Sequence, residues 1–286
     1  MHRALGSSSS SPVICVSCPM RLKKSLGQHF LHDRNIARNI VSLLAPGPGD
    51  AVLEIGPGDG ALTSVLADSG ARLIAVEIDG RAVETLLKSF AGRDNVAIRK
   101  ADILDCDLSA MAVETGRKLR VIGNLPYNIS SRILFHLFDH ALRVSDCVLM
   151  MQQEVAKRLV SPPGKKDYGI LSVITQLHAD ARIAMRVSPN VFYPKPKVMS
   201  SVLHLRFEPE RFATIEDPMF LKHVVRSAFG KRRKQLGNAL KDIGLDADLQ
   251  RPGLQSFMRR RAEDLSPAEF VELASSLKSL EGPRAA

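Results

Sequence analysis

The sequence predicts an α/β protein in which a mostly parallel sheet is covered by helices on both faces and followed by a small all-α domain. Three observations predict it. Short apolar runs alternate with helix-spaced segments from Asp50 onward. Residue types suited to chemistry fall directly after those runs, where parallel sheets bind their ligands. After Pro209 the period-two pattern ends and only helical spacing follows.

The apolar run Ala51–Ile55 ends in glycines and reads as a buried strand. Leu62–Ala67 has helical spacing, Arg72–Ile78 is a second strand, and Arg81–Phe90 is a helix with apolar Val83, Leu86 and Leu87. Val96–Arg99 is a third strand, and Leu119–Ile122 a fourth that stops at Gly123. Ser131–Phe138 is helical, Asp146–Met151 is a fifth strand carrying Cys147, and Gly169–His178 is helical. Ala181–Val187 and Val202–Phe207 are alternating strands. Helices are expected over Phe220–Phe229, Arg232–Ile243 and Pro267–Leu277. The expected organisation is a flexible extension over 1–20, a sheet domain over 21–209 and a helical domain over 210–286.

Composition narrows the classes. Forty Lys and Arg against thirty Asp and Glu leave a net charge of +10, which suits a polyanionic partner or solubility alone. No stretch approaches the roughly 18 apolar residues of a membrane span, so a soluble protein is expected. Four cysteines exclude a disulfide scaffold and suit a reducing compartment. The Ser7–Ser11 run and Pro12 read as flexible, and an acid-free start with Arg3 weakly resembles a transit peptide but lacks amphipathic periodicity. Met20 is a candidate start. Cys15 and Cys18 form a lone CxxC without two further ligands nearby, so no metal site is expected.

Glu54-Ile55-Gly56-Pro57-Gly58-Asp59-Gly60 links a strand to a helix, allowing a tight turn and close ligand approach. Pro57 removes a backbone donor and no Lys-Ser/Thr follows, which argues against a phosphate-cradling loop. Glu77 closes the second strand, where a carboxylate can accept two bonds from ribose hydroxyls of NAD or any adenosine cofactor. Asp102 follows the third strand, placed for an adenine amino group. Each acid alone could equally be a solvated loop carboxylate; three elements at successive strand ends favour a shared crevice.

Asn124-Leu125-Pro126-Tyr127 follows the fourth strand. An exocyclic base amine is a poor nucleophile because its lone pair is delocalised into the ring. An Asn oxygen and a loop carbonyl that accept both its N–H groups favour a pyramidal nitrogen. Pro126 stiffens the loop and helps present the Leu125 carbonyl, and Tyr127 offers a face for an unstacked base. The alternative is a turn with a packed tyrosine. Phe192-Tyr193-Pro194-Lys195-Pro196-Lys197 is a proline-stiffened aromatic loop whose Phe192 either packs in the core or stacks on the second face of that base.

These motifs together resemble the KsgA-type family of small-subunit rRNA adenine N6,N6-dimethyltransferases. The resemblance rests on Leu22 to Leu31 (LKKSLGQHFL), Val52 to Gly58 (VLEIGPG), Asn124 to Ser130 (NLPYNIS), Met151 to Arg158 (MQQEVAKR) and Val191 to Ser200 (VFYPKPKVMS), and runs from about residue 21 to the C-terminus. It implies a class I S-adenosylmethionine-dependent methyltransferase fold, a Rossmann-like seven-stranded sheet ending in an antiparallel strand. It implies S-adenosylmethionine as methyl donor and dimethylation of two adjacent adenosines in a hairpin loop near the 3′ end of 16S rRNA, in cytoplasmic small-subunit biogenesis. The family's cofactor contacts fall on His29, Leu31, Gly56, Glu77, Asp102 and Asn124. The target adenine falls between Tyr127 and Phe192, with Asn124 and the Leu125 carbonyl holding the amine. Many relatives have Asn where His29 stands, which leaves the role of that side chain open.

Lys231-Arg232-Arg233-Lys234 and Arg259-Arg260-Arg261, with Lys23-Lys24, suit a surface that tracks RNA phosphates, although charge runs are also ordinary solvated faces. Lys195 and Lys197 are expected near the RNA backbone. A monomer is expected, since no interface stripe stands out. Competing readings are a large-subunit rRNA dimethyltransferase, a non-catalytic assembly or transcription factor on the same fold, and an NAD-dependent oxidoreductase. The last lacks an obvious hydride-transfer acid and a role for the Asn124 motif.

Overall fold

The computed structural model describes residues 29–213, 215–241 and 252–279. The extension over 1–20, Cys15, Cys18, Lys23, Lys24 and the first part of the LKKSLGQHFL motif lie outside the described residues.

In chain order the elements are β1 (Phe30–Leu31), α1 (Arg34–Leu44), β2 (Ala51–Ile55), α2 (Ala61–Ala67), β3 (Arg72–Glu77), α3 (Gly80–Ser89), β4 (Val96–Lys100), α4 (Leu108–Thr115), β5 (Leu119–Asn124) and α5 (Ser130–Asp139). There follow β6 (Val144–Gln152), α6 (Gln153–Leu159), α7 (Ile170–His178), β7 (Ala179–Val187), β8 (Phe192–Tyr193), β9 (Ser200–Phe207), α8 (Pro209–Ala213), α9 (Pro218–Gly230), α10 (Leu236–Ala239), α11 (Pro252–Met258) and α12 (Pro267–Lys278).

The seven-stranded sheet has the order β4-β3-β2-β5-β6-β9-β7. Strands β4 to β6 are mutually parallel, and β9 runs antiparallel to both neighbours. The antiparallel strand is therefore last in sequence but not last in space, because β7 forms the edge beyond it. Every residue of β2 is buried, as a central strand covered on both faces requires. One face packs Leu53, Ile55 and Val121 against Leu134, Leu137 and Phe138 of α5. The other packs Val52, Ile122 and Met150 against Ile40 and Leu44 of α1.

Strand β5 runs on through Gly123 to Asn124, two residues past its expected end. Gly123 is required there: a Cβ would lie 2.6 Å from the Ile55 carbonyl oxygen of β2. Gly123→Ala is expected to cost about 2–3 kcal/mol, since backbone cannot yield as a side-chain tip can. Urea denaturation checks it; an unchanged midpoint would mean that β2 and β5 can separate freely.

At the opposite end of β5, Arg120 donates to both Asp146 oxygens at 2.8 Å and to Asp50 Oδ2 at 3.0 Å, tying β5, β6 and the turn before β2 together. These paired charges hold Asp50 below the ordinary carboxylate range, against the opposing effect of burial.

The helix expected over Arg232–Ile243 is shorter. Residues 231–234 form a turn, α10 begins at Leu236, and residues 242 and 243 lie outside the described residues. The expected boundary at 209 does not divide the packing. Tyr168, Val173 and Leu177 share one core with Leu221, Val225, Leu236, Phe270 and Leu273 of the helical region. The Tyr168 hydroxyl donates to the Leu265 carbonyl at 2.8 Å, and burial pushes its pKa well above the ordinary tyrosine value, with Glu269 adding to the shift.

Candidate active site

A cavity of about 220 Å³ opens beyond the carboxyl ends of β2, β3, β4 and β5. All six residues expected to hold a cofactor line it: His29, Leu31, Gly56, Glu77, Asp102 and Asn124. So do Leu125, Pro126 and Tyr127. The strand-to-helix turns after four adjacent parallel strands converge on this point, which is why residues up to 95 positions apart meet.

The glycine loop is built for an uncharged or cationic ligand. The Gly56 N–H donates to the Val76 carbonyl, the Gly58 N–H to Glu77 Oε2 and the Gly60 N–H to the Pro57 carbonyl, so none is left to cradle a phosphate. Gly58 has φ +58°, and a Cβ there would lie 2.8 Å from the Phe30 ring. Glu77 is buried, and its Oε1 also accepts from the Ile78 and Asp79 N–H groups, both at 2.9 Å. Three of about four acceptor positions are filled. The remaining acceptor position is on Oε2. Asp102 spends Oδ1 on the Leu104 N–H at 2.9 Å, capping the short turn after β4. Ile78 and Ile103 supply apolar wall between these acids.

Glu54 was not among the expected site residues, yet it lines the cavity from inside β2. It is 1% exposed, and its Oε2 has no hydrogen-bond partner among the described residues. Burial pushes its pKa up to about 8; Thr63 opposes the shift, and nearby Glu77 and Asp59 add to it. A carboxyl inside an all-buried strand was the available signal.

The Asn124 amide is oriented by its surroundings. Its Nδ2 donates to the His29 backbone carbonyl at 2.7 Å. A carbonyl only accepts, so the amide's NH₂ must face it, and Oδ1 is left as the acceptor. Leu125 is buried and its N–H continues the β5–β6 ladder to the Met150 carbonyl at 2.9 Å. The Tyr127 hydroxyl bonds Ser200 Oγ at 2.6 Å, and burial holds its pKa above the ordinary value. The His29 ring lies 5.2 Å from the Tyr127 ring, tilted by 37°.

Phe192 does not join this group. It is 3% exposed, packs with Leu31, Val187 and Val202, and does not line the cavity. The cause is strand alternation: β8 pairs with β1, turning Phe192 into the core and leaving Tyr193 62% exposed. In this arrangement the Phe192 ring is packed in the core and is not presented at the cavity as a second stacking face.

The two basic clusters of the helical region are brought side by side. Gln235 and Arg261 form a β-bridge, and the Leu236 N–H donates to the Arg260 carbonyl at 2.8 Å. Arg232 is engaged by Glu263 and the Lys166 carbonyl, and Arg260 by Glu269. Lys231, Arg233, Lys234, Arg259 and Arg261 are exposed, as are Lys195 and Lys197.

A seven-stranded sheet with one inserted antiparallel strand, a glycine turn, and an Asn-Leu-Pro-Tyr segment at the same cavity defines a Rossmann-like methyltransferase. Solved structures share the fold: a dimethyladenosine transferase from Plasmodium falciparum matches with a TM-score of 0.77 at 23% identity, covering 88% of this chain and 98% of that one. The 23S rRNA methyltransferase ErmE matches with a TM-score of 0.62 at 25% identity, covering 87% and 99%. The family model for ribosomal RNA adenine dimethylase matches residues 20–279. Proteins named ribosomal RNA small subunit methyltransferase A are similar throughout. That of Geobacter sulfurreducens is 43% identical over 271 residues, covering 92% of this chain and 98% of the relative. That of Pseudomonas aeruginosa is 40% identical over 264 residues, covering 92% and 97%. The chain belongs to the ribosomal RNA adenine dimethylase family and is an rRNA methyltransferase.

Proposed function

We propose that this enzyme dimethylates N6 of two adjacent adenosines in a hairpin loop near the 3′ end of 16S rRNA, using S-adenosylmethionine, within the assembling small subunit. The observation that carries the reading is the Asn124 amide, anchored through Nδ2 so that Oδ1 remains to accept at the cavity. The small-subunit substrate is supported by relatives of that name at 40–43% identity, against 25% for the large-subunit enzyme ErmE. A cytoplasmic monomer fits this role, and among the described residues no helix is long and apolar enough to cross a membrane.

The residues present fit S-adenosylmethionine. Glu54 offers a buried oxygen without a partner to a donor group, Glu77 one remaining acceptor position to a ribose hydroxyl, and Asp102 its second oxygen to an adenine amine. When bound, the cofactor supplies an electrophilic methyl group on a cationic sulfur. The protein's part is to prepare the acceptor. Asn124 Oδ1 and the Leu125 carbonyl accept the two N–H groups of the base amine, drawing its lone pair out of the ring. Tyr127, held by Ser200, offers a face to the flipped base. No Lys or Arg stands in the Asn124–Tyr127 segment, which leaves the cationic donor unopposed. Alignment of this kind supplies on the order of several kcal/mol.

The direct test is incubation with labelled methyl donor and undermethylated small and large subunits, followed by mapping of the modified nucleotides. Label confined to large-subunit RNA would overturn the proposed substrate.

The exposed Lys231, Arg233, Lys234, Arg259 and Arg261 suit phosphate contacts. Replacing Arg233 and Lys234 together by Gln is expected to reduce the slope of log affinity against log salt by about 1.5. An unaltered slope in filter binding would show that RNA docks elsewhere.

A further inference from the structure

Resting on that reaction, we propose that the His29 side chain is a positioning residue, a latch that fixes the Asn124 amide by fastening the segment before β1 to the loop after β8. His29 Nδ1 lies 2.7 Å from the Pro194 carbonyl oxygen. That oxygen only accepts, so the imidazole carries its proton on Nδ1 and donates. The same residue's carbonyl accepts Asn124 Nδ2 at 2.7 Å, and its ring lies against Tyr127. One residue thus touches the proline loop through its side chain, the reacting amide through its backbone and the base-facing aromatic through its ring.

The segment needs such a fastening. β1 and β8 pair over only two residues, Phe30↔Tyr193 and Leu31↔Phe192, with one more bond from the His32 N–H to the Val191 carbonyl. A two-residue ribbon is marginal by itself. His29 lies just past its end, so among the described residues the peptide that orients Asn124 is held on this side by no further strand pairing. The Nδ1–H bond to Pro194 supplies that tie at the position where the regular pairing stops. An Asn side chain at this position has an amide N–H at about the reach of imidazole Nδ1, so it can make the same bond. Ala cannot.

The test compares wild type with His29→Ala and His29→Asn. His29→Ala is expected to lower kcat about ten- to hundredfold, with KM for the RNA and donor affinity within about twofold of wild type. His29→Asn is expected to restore kcat to within about threefold. The second readout is independent of turnover: in NMR spectra the Asn124 side-chain NH₂ should exchange slowly in wild type and His29→Asn and faster in His29→Ala. An unchanged kcat and unchanged NH₂ exchange in His29→Ala would overturn the latch. Loss confined to donor affinity would make His29 a ligand contact, which also overturns it, as would failure of Asn to rescue. If wild type itself transferred no methyl to 16S rRNA, the substrate reading would fail, while the NH₂ exchange would still decide the latch.

Discussion

Asn124→Ala is expected to lower methyl transfer by about 10²–10³-fold while leaving RNA affinity nearly unchanged. The affinity follows from charge. On the proposed docking, binding would draw on exposed cations such as Arg233, Lys234, Arg259 and Arg261, none of which the substitution alters. The rate follows from Oδ1. Its acceptor role gains strength as the amine nitrogen becomes pyramidal and its N–H groups more acidic, so it is worth more in the transition state than in the bound complex. Removing it also strips the Nδ2 partner from the His29 carbonyl, loosening the strap over the cavity. Asn124→Asp is a sharper comparison: it keeps an acceptor but presents oxygen to the His29 carbonyl. Single-turnover rates and filter binding on undermethylated subunits measure both quantities. Turnover within threefold of wild type would remove Asn124 from the chemistry.

Glu54→Gln is expected to change the dependence of stability on pH. With burial as the main cause, the folded Glu54 carboxyl titrates near 8 instead of its ordinary 4.5. Between those values the folded chain holds a proton that the unfolded chain has released. Stability therefore falls as pH rises from 4.5 to 8. Below that window both states are protonated, and above it both are ionised and the full penalty stands. The penalty is on the order of 5 kcal/mol at most. Gln has nearly the same shape and no charge. The variant should match wild type near pH 4.5 and become progressively more stable than it toward pH 8. Urea unfolding at several pH values reads this directly. Parallel curves for the two proteins would mean that Glu54 is solvated or paired when folded.

Legibility in the sequence followed the strength of local pattern. The long strands were readable because each is an apolar run bounded by turn residues, and the glycine loop, Glu77, Asp102 and Asn124 were readable because ligands bind at strand ends. Helix α1 passed unread although Asp33 caps it, accepting from the N–H groups of Asn35 and Ile36. Its Ala37, Ile40, Val41 and Leu44 recur at helical spacing with Arg34, Arg38 and Asn39 off that stripe, so the pattern was present in the sequence. The β1–β8 pairing was invisible because two residues carry no periodicity; only contact between positions 30 and 193 creates it. Phe192 could not be resolved without it, since its register against Leu31 decides which way the ring turns. Glu54 was legible as a carboxyl inside a strand read as buried, but not as a wall of the cavity, because the cavity is made by neighbours distant in sequence. The side-by-side placement of the two basic clusters rests on the Gln235–Arg261 bridge, which no spacing rule foretells.

Helix α7 packs Val173 and Leu177 into the core shared with α9 and α12, and Ile174 into the core that holds Leu125 and Ile133 at the cavity, which joins the basic face and the cavity in one packed frame. A stiff frame works as a caliper. On the proposed docking, with RNA phosphates on Arg233 and Lys234, the nucleotides that reach Asn124 would be those at one set span, and no free energy would be lost in ordering a hinge. Such a device picks its adenines by where the folded RNA holds them, so an enzyme with few base-reading side chains can still modify the same place in every ribosome.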